Sequence, residues 1–139
     1  MSFLLDTNVV SEPTKQRPNH GLLAWLASVD ENSVFISTIT ISELRYGVER
    51  LPAGARRTRL DEWLTHDLVS RFEGRILPVN VEVADACGRL SARADSLGHS
   101  IEARDAFIAA TAKVHGLTLV TRNLSHFSDF LKSVLCPWT

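Results

Sequence analysis

The stretch Val34 to Pro52, VFISTITISELRYGVERLP, carries two periodicities in succession. Val34 to Ser37 is a short run of the residue types that suit a strand buried on both faces. From Ile41 the apolar positions become Ile41, Leu44, Val48 and Leu51, an i, i+3, i+7 stripe that Pro52 and Gly54 end. A strand followed at once by a helix is the unit of an α/β protein, and the rest of the chain repeats it. Ser2 to Leu5 and Leu117 to Thr121 are further apolar runs of strand length, with Ile76-Leu77-Pro78 a shorter one. Helical periods lie between them: Leu22, Leu23, Trp25 and Leu26 after the start signal Pro18-Asn19-His20-Gly21, then Leu60 to Phe72 and Val81 to Leu97. The alternation predicts an α/β fold, a parallel β-sheet sandwiched by α-helices. With no internal repeat, low-complexity tract or linker, residues 1–139 are expected to form a single domain.

Size and composition agree with that reading. A chain of 139 residues hides roughly two thirds of its unfolded surface on folding, and 45% hydrophobic against 22% charged residues is ordinary for a globular domain. The longest apolar run, Leu22 to Ala27, is far short of the ~20 residues of a membrane helix. Asp6 interrupts the N-terminal apolar run before a signal peptide is built, so a cytoplasmic location is expected. Cys87 and Cys136 match neither C-x-x-C nor a disulfide framework and are read as reduced packing residues. Net charge is −1, which does not by itself announce a nucleic-acid binder, yet 12 of the 15 basic residues are Arg, whose planar fork suits phosphate. Without Asp6, Glu43 and Asp105 the balance would be +2.

Those three acids carry the chemistry. Asp6 directly follows Phe3-Leu4-Leu5, while Thr121 and Asn123 close Leu119-Val120 in the same manner. Glu43 is placed in the first turn of the helix after Val34 to Ser37. In open parallel sheets the ligand crevice lies outside the carboxyl ends of the strands, where such groups converge. Asp105 sits in a helix that is apolar on two sides, Ala103, Ala106, Phe107, Ala110 and Val114 on one and Ile108, Ala109 and Ala112 on the other. An ionised carboxylate there needs a partner. A salt bridge to Arg104 or Arg122 and a bound metal are both open readings. Taken singly, Asp6 is equally a helix N-cap and Glu43 a solvated residue. As a set, hard oxygen ligands around an open position suit Mg²⁺, which accepts few carboxylates and keeps several waters. Such a set supports hydrolysis of a phosphodiester by metal-activated water. The chain has no P-loop, nucleophile elbow, H-E-x-x-H or G-x-G-x-x-G. Of its histidines, His126 alone lies near a strand end bearing site groups.

Four blocks then become recognisable: Leu4-Leu5-Asp6-Thr7-Asn8-Val9, Ile41-Ser42-Glu43-Leu44-Arg45-Tyr46-Gly47, Arg104-Asp105-Ala106-Phe107-Ile108-Ala109-Ala110-Thr111-Ala112 and Thr121-Arg122-Asn123. In content and order the chain resembles the PIN-domain ribonuclease toxins of the VapC/FitB family. Ser11-Glu12-Pro13, Gly74-Arg75-Ile76-Leu77-Pro78 and Pro137-Trp138 extend the likeness over essentially the whole length. The resemblance implies a Mg²⁺- or Mn²⁺-dependent endoribonuclease, dimeric and silenced by a small antitoxin through which alone it meets operator DNA. It implies Asp6, Glu43 and Asp105 as catalytic metal ligands, Asn123 as a further site residue, and Thr121, His126 and Asn8 as residues supporting them. Where relatives often carry a fourth acid, this chain has Asn123 and His126, which puts a tightly bound second metal in doubt. Arg45, Arg50, Arg56, Arg57 and Arg59 are candidates for tracking an RNA backbone, with a solvated helix end as the alternative. Two rival functions stand beside the nuclease. One is a FitB-like partner of a DNA-binding antitoxin with little or no nuclease activity, favoured by Asn123. The other is an aspartate-nucleophile phosphatase using Asp6, disfavoured by Asn8 where such enzymes carry a second Asp. Self-association is expected from the resemblance and from the apolar content of Leu60 to Phe72 and Val81 to Leu97.

Overall fold

The computed structural model describes residues 1–139. Five short strands, β1 (Phe3–Leu5), β2 (Val34–Ser37), β3 (Ile76–Leu77), β4 (Thr118–Val120) and β5 (Val134–Leu135), form one sheet in the order β3-β2-β1-β4-β5. All four pairings are parallel, with Leu4 opposite Phe35 on one side and Leu119 on the other. Successive residues of a strand face opposite ways, and the core divides accordingly. Leu5, Ile36 and Val120 join a cluster with α1 (Thr7–Ser11), α2 (His20–Ser28) and α3 (Thr38–Glu49). Leu4 and Leu119 join a second cluster with α6 (Val81–Ser96) and α7 (Ala103–His115) on the other face. The expected sandwich is the observed one. No helix is long and apolar enough to cross a membrane. Both cysteines are free, Cys87 buried and Cys136 partly so.

Several boundaries differ from expectation for local reasons. The Ser37 hydroxyl caps α3 by accepting from the Ile39 amide at 3.0 Å, so the helix begins directly at the strand end. Glu43 therefore lies in the second turn of α3, not the first. The helix expected from Leu60 starts earlier, as α4 (Ala55–Glu62), continues through a π-helical stretch (Trp63–Leu68) and ends as α5 (Val69–Arg71). Its opening turn buries no residue, so it shows no apolar stripe, although Ala and Arg favour helix intrinsically. Two helices, α1 and α8 (Leu124–Phe127), and strand β5 are too short to show a period. In α6 the buried residues Val83, Cys87, Leu90 and Ala94 form a single stripe facing the protein's own core, leaving Val81 and Leu97 at its ends as its exposed large apolar residues. The apolar surplus that pointed to self-association through α6 is thus absent. Gly116, at φ +65°, adopts the left-handed conformation that ends α7 and turns the chain toward β4.

Candidate active site

Asp6 follows β1 and Thr121 follows β4, the adjacent strands at which the order of the sheet changes direction. The crevice of a doubly wound sheet opens at such a point. Asp6 is buried, at 6% exposure, and held by several donors. Its Oδ1 accepts from the Thr7 amide at 2.8 Å, making Asp6 the N-cap of α1 as well as a site residue. Its Oδ2 accepts from the Thr121 hydroxyl at 2.7 Å and from the Asn8 side-chain Nδ2 at 3.4 Å. The Asn123 backbone N–H donates in turn to the Thr121 hydroxyl at 3.0 Å. Asn8 Oδ1 accepts from the Arg122 N–H at 3.2 Å, tying the two strand-end loops together. Thr121 and Asn8 thus support Asp6, whereas the Asn123 side chain is exposed and makes no hydrogen bond.

Glu43 reaches the crevice from α3 and Asp105 from the first turn of α7, both about three-quarters buried at their side chains. Glu43 Oε1 accepts from the Thr7 hydroxyl at 2.8 Å, and that hydroxyl also contacts the buried Thr40 hydroxyl at 3.2 Å. Sequence reasoning missed Thr7 and Thr40. Thr40 sits three residues before Glu43 on one helix face, a signal that was present, while Thr7 had none beyond its adjacency to Asp6. The salt bridge to Arg104 or Arg122 considered for Asp105 does not form. Its partner is His126 on α8, Nδ1 to Oδ2 at 3.3 Å. Arg104 instead bonds Glu102 at 3.0 Å and stands 4.0 Å from Glu43.

All three carboxyl groups are pushed above the ordinary carboxylate range. Burial is the main cause for each. Repulsion from Asp6 adds to it at Glu43 and Asp105, and Asp105 also raises Glu43, while hydrogen bonds from Thr121 and Thr7 pull the other way at Asp6 and Glu43. No three acid, histidine or cysteine side chains close on one point, so the crevice is lined rather than caged. Mg²⁺ in general takes one or two direct carboxylates and retains several waters. Both oxygens of Asp6 are anchored by neighbours, a state better matched to holding a cation or its water than to attacking phosphorus.

The candidate RNA-contacting arginines separate into two kinds. Arg45 is engaged with Asp61 at 2.6 Å, Thr65 and Glu49, and Arg57 with Glu49 at 2.7 Å. These two tie α3 to α4 through half-exposed ion pairs. Arg50 rests on Tyr46, while Arg56 and Arg59 form no ion pair. A cavity of about 640 Å³ lies elsewhere, between α1, the end of α2 and the α4–α5 segment, and none of the three acids lines it.

A family model of the PIN domain matches residues 3–130. The chain belongs to the PIN-domain family. Among PIN-domain proteins it is 42% identical over 136 residues to Toxin FitB of Neisseria gonorrhoeae, covering 98% of each chain. It is 36% identical over 136 residues to VapC ribonuclease Y4jK of Sinorhizobium fredii, covering 98% of this chain and 97% of that one. Its fold superposes with a TM-score of 0.93, at 39% identity, on a structure of FitAB bound to an IR36 DNA fragment, covering 99% of this chain and 96% of that chain.

Proposed function

We propose that this chain is the toxin of a toxin–antitoxin pair, an endoribonuclease that hydrolyses RNA phosphodiester bonds with Mg²⁺, or Mn²⁺, held by Asp6, Glu43 and Asp105. The observation that carries the reading is the set of mutually repelling carboxylates, each raised by burial, at the switch point of a parallel sheet. The ribonuclease and toxin names of its relatives support it. The metal would supply a water of lowered pKa and positive charge for the phosphate oxygens. The chain's own part is to hold the geometry. Thr7 and Thr121 fix the carboxylates of Glu43 and Asp6 with hydroxyl donors. One of the three carboxylates would orient the attacking water and accept its proton, a role for which a raised pKa is suited.

The antitoxin is proposed from the FitAB likeness, and contact with operator DNA would be made through it. Self-association rests on the family resemblance and on the Leu60 to Phe72 segment, where Val69 is exposed, and is tested by sedimentation at micromolar concentrations. The experiment for the activity is RNA cleavage by antitoxin-free protein with and without EDTA. Chelator-sensitive cleavage supports the nuclease. Absence of turnover in Mg²⁺ and Mn²⁺ favours the second reading, a binding partner without catalysis, which the lack of an acid at Asn123 makes worth separating.

Asn123 gives a finer test. Its backbone N–H donates to Thr121 while its side chain is exposed and unbonded, so Asn123→Asp adds a charge at the strand end without breaking a side-chain hydrogen bond. The expected result is a half-saturating Mg²⁺ concentration lowered several-fold, since a carboxylate attracts a divalent cation more than an amide does. His126→Ala is expected to lower Mn²⁺-supported more than Mg²⁺-supported cleavage if the imidazole binds metal. Unchanged metal dependence in both leaves Asp6, Glu43 and Asp105 as the whole protein contribution.

A further inference from the structure

Beside the acids, α3 carries an exposed aromatic residue that the reading above does not use. Tyr46 is 55% exposed, one helical turn beyond Glu43, with Arg50 one further turn on, so the three share one face. The Arg50 guanidinium lies 5.4 Å from the ring centroid and donates to the Tyr46 hydroxyl at 3.0 Å. From α7 the Arg104 guanidinium lies 6.0 Å from the same centroid and 4.0 Å from the Glu43 carboxylate. The ring is thus more than half exposed, its hydroxyl tethered and two guanidinium groups near it. Arg45, which precedes Tyr46, is engaged by Asp61 and Glu49 and turned away from this duty.

We propose that Tyr46, with Arg50 and Arg104, is the base-stacking platform of the site and selects an unpaired RNA nucleotide next to the scissile phosphate; this rests on the nuclease reading. Bases stack on aromatic and guanidinium planes, and every base offers such a face, so the platform is tolerant of base identity. It is intolerant of pairing, since a base inside an A-form duplex has both faces covered by its neighbours. A base arriving on the ring displaces a guanidinium from it. Arg104, already bridging Tyr46 and Glu43, is then placed to meet the adjoining phosphate at the edge of the carboxylate crevice. The platform thereby sets which phosphodiester reaches the acids.

The test uses the full chain and a fluorescent single-stranded RNA oligonucleotide in two assays, binding in EDTA and cleavage in Mg²⁺. Tyr46→Ala is expected to weaken metal-free binding on the order of tenfold or more, and in cleavage to lose chiefly in KM. Tyr46→Phe, which keeps the ring, restores most of the loss, and Tyr46→Leu, which keeps bulk without a ring, does not. Walking a single abasic nucleotide through the oligonucleotide should find one position at which wild type and Tyr46→Ala bind equally. A fully duplex RNA should be insensitive to the substitution. Circular dichroism checks that each surface variant is folded. Wild-type binding by Tyr46→Ala, or by Tyr46→Leu, overturns the platform, and a loss in Tyr46→Phe equal to that in Tyr46→Ala overturns stacking in favour of the hydroxyl. Tyr46-dependent binding without any cleavage by the wild-type chain would support the platform while overturning the nuclease reading.

Discussion

Asp105→Asn should yield a folded protein whose RNA cleavage in saturating Mg²⁺ falls on the order of 10²- to 10⁴-fold, the range associated with removing a group that positions or moves a proton at the reacting water. The substitution keeps volume and shape, so α7 has no reason to unfold. What it removes is a carboxylate that burial and the neighbouring Asp6 and Glu102 already hold above its ordinary range. In the absence of metal that charge is a burden to the folded state, and its one close ionisable partner is the half-exposed His126 at 3.3 Å. The variant's melting temperature without metal at neutral pH should accordingly equal or exceed that of the wild type. Loss of activity and gain of stability in one substitution is the pattern of a ligand rather than of a structural salt bridge. A well-folded variant with undiminished cleavage, or one that melts several degrees earlier, would remove Asp105 from the site.

Mg²⁺ should raise the melting temperature strongly near neutral pH and weakly near pH 5. Asp6, Glu43 and Asp105 all titrate higher in the folded chain than in the unfolded one. The stability linked to their protonation is fully present below the ordinary carboxylate pKa, near pH 4, and is lost as pH rises through the elevated folded values. Ionising these buried groups as pH rises therefore works against the folded state, and a divalent cation bound among them offsets that cost. A cation at about 100 times its Kd adds about 2.7 kcal/mol, which for a domain of this size is roughly 10 °C. Toward pH 5 protons compete for the same oxygens and the increment shrinks. Glu12, Glu31 and Asp61 respond oppositely, because hydrogen bonds from Lys15, Arg71 and Arg45 hold them low; the stability they lend is lost as pH falls. The quantity to measure is thus the difference with and without Mg²⁺ at each pH, in wild type and in Asp105→Asn. A pH-independent increment, or one retained in full by the variant, contradicts the assignment.

Two of the candidate site residues, Asp6 and Asp105, stand out in the sequence because each sits where a pattern breaks. Asp6 ends an apolar run at a strand terminus, and Asp105 interrupts a helix whose neighbours Ala106, Ile108, Ala109 and Ala112 are all buried. What stayed hidden depends on pairings distant in sequence. Arg45 looks like a free cation in the sequence but is satisfied by Asp61, 16 residues later. The Thr7 hydroxyl meets Glu43 36 residues on, and His126 meets Asp105 through a helix of four residues that no period reveals. The approach of Arg104 to Tyr46 brings α7 against α3, a contact set by the sheet and not by either helix's own pattern. Periodicity reports which face of an element is buried, and says nothing of which neighbour's polar group will stand opposite.

The alanines of α7 have a consequence for the spectrum of inactivating mutations. Ala106, Ala109, Ala110 and Ala112 are essentially inaccessible, packed between α6 and the sheet. Each becomes Val or Thr by a single base change, and every such change adds atoms where protein interiors leave no room, at roughly 1–3 kcal/mol and with a shift of the helix that bears Asp105. Null alleles recovered from a population grown under selection against this activity should therefore fall into two groups. One group alters the carboxylates and leaves normal amounts of folded protein. The other enlarges α7 residues that never meet RNA, and its members should regain function at lower growth temperature, as conditional alleles.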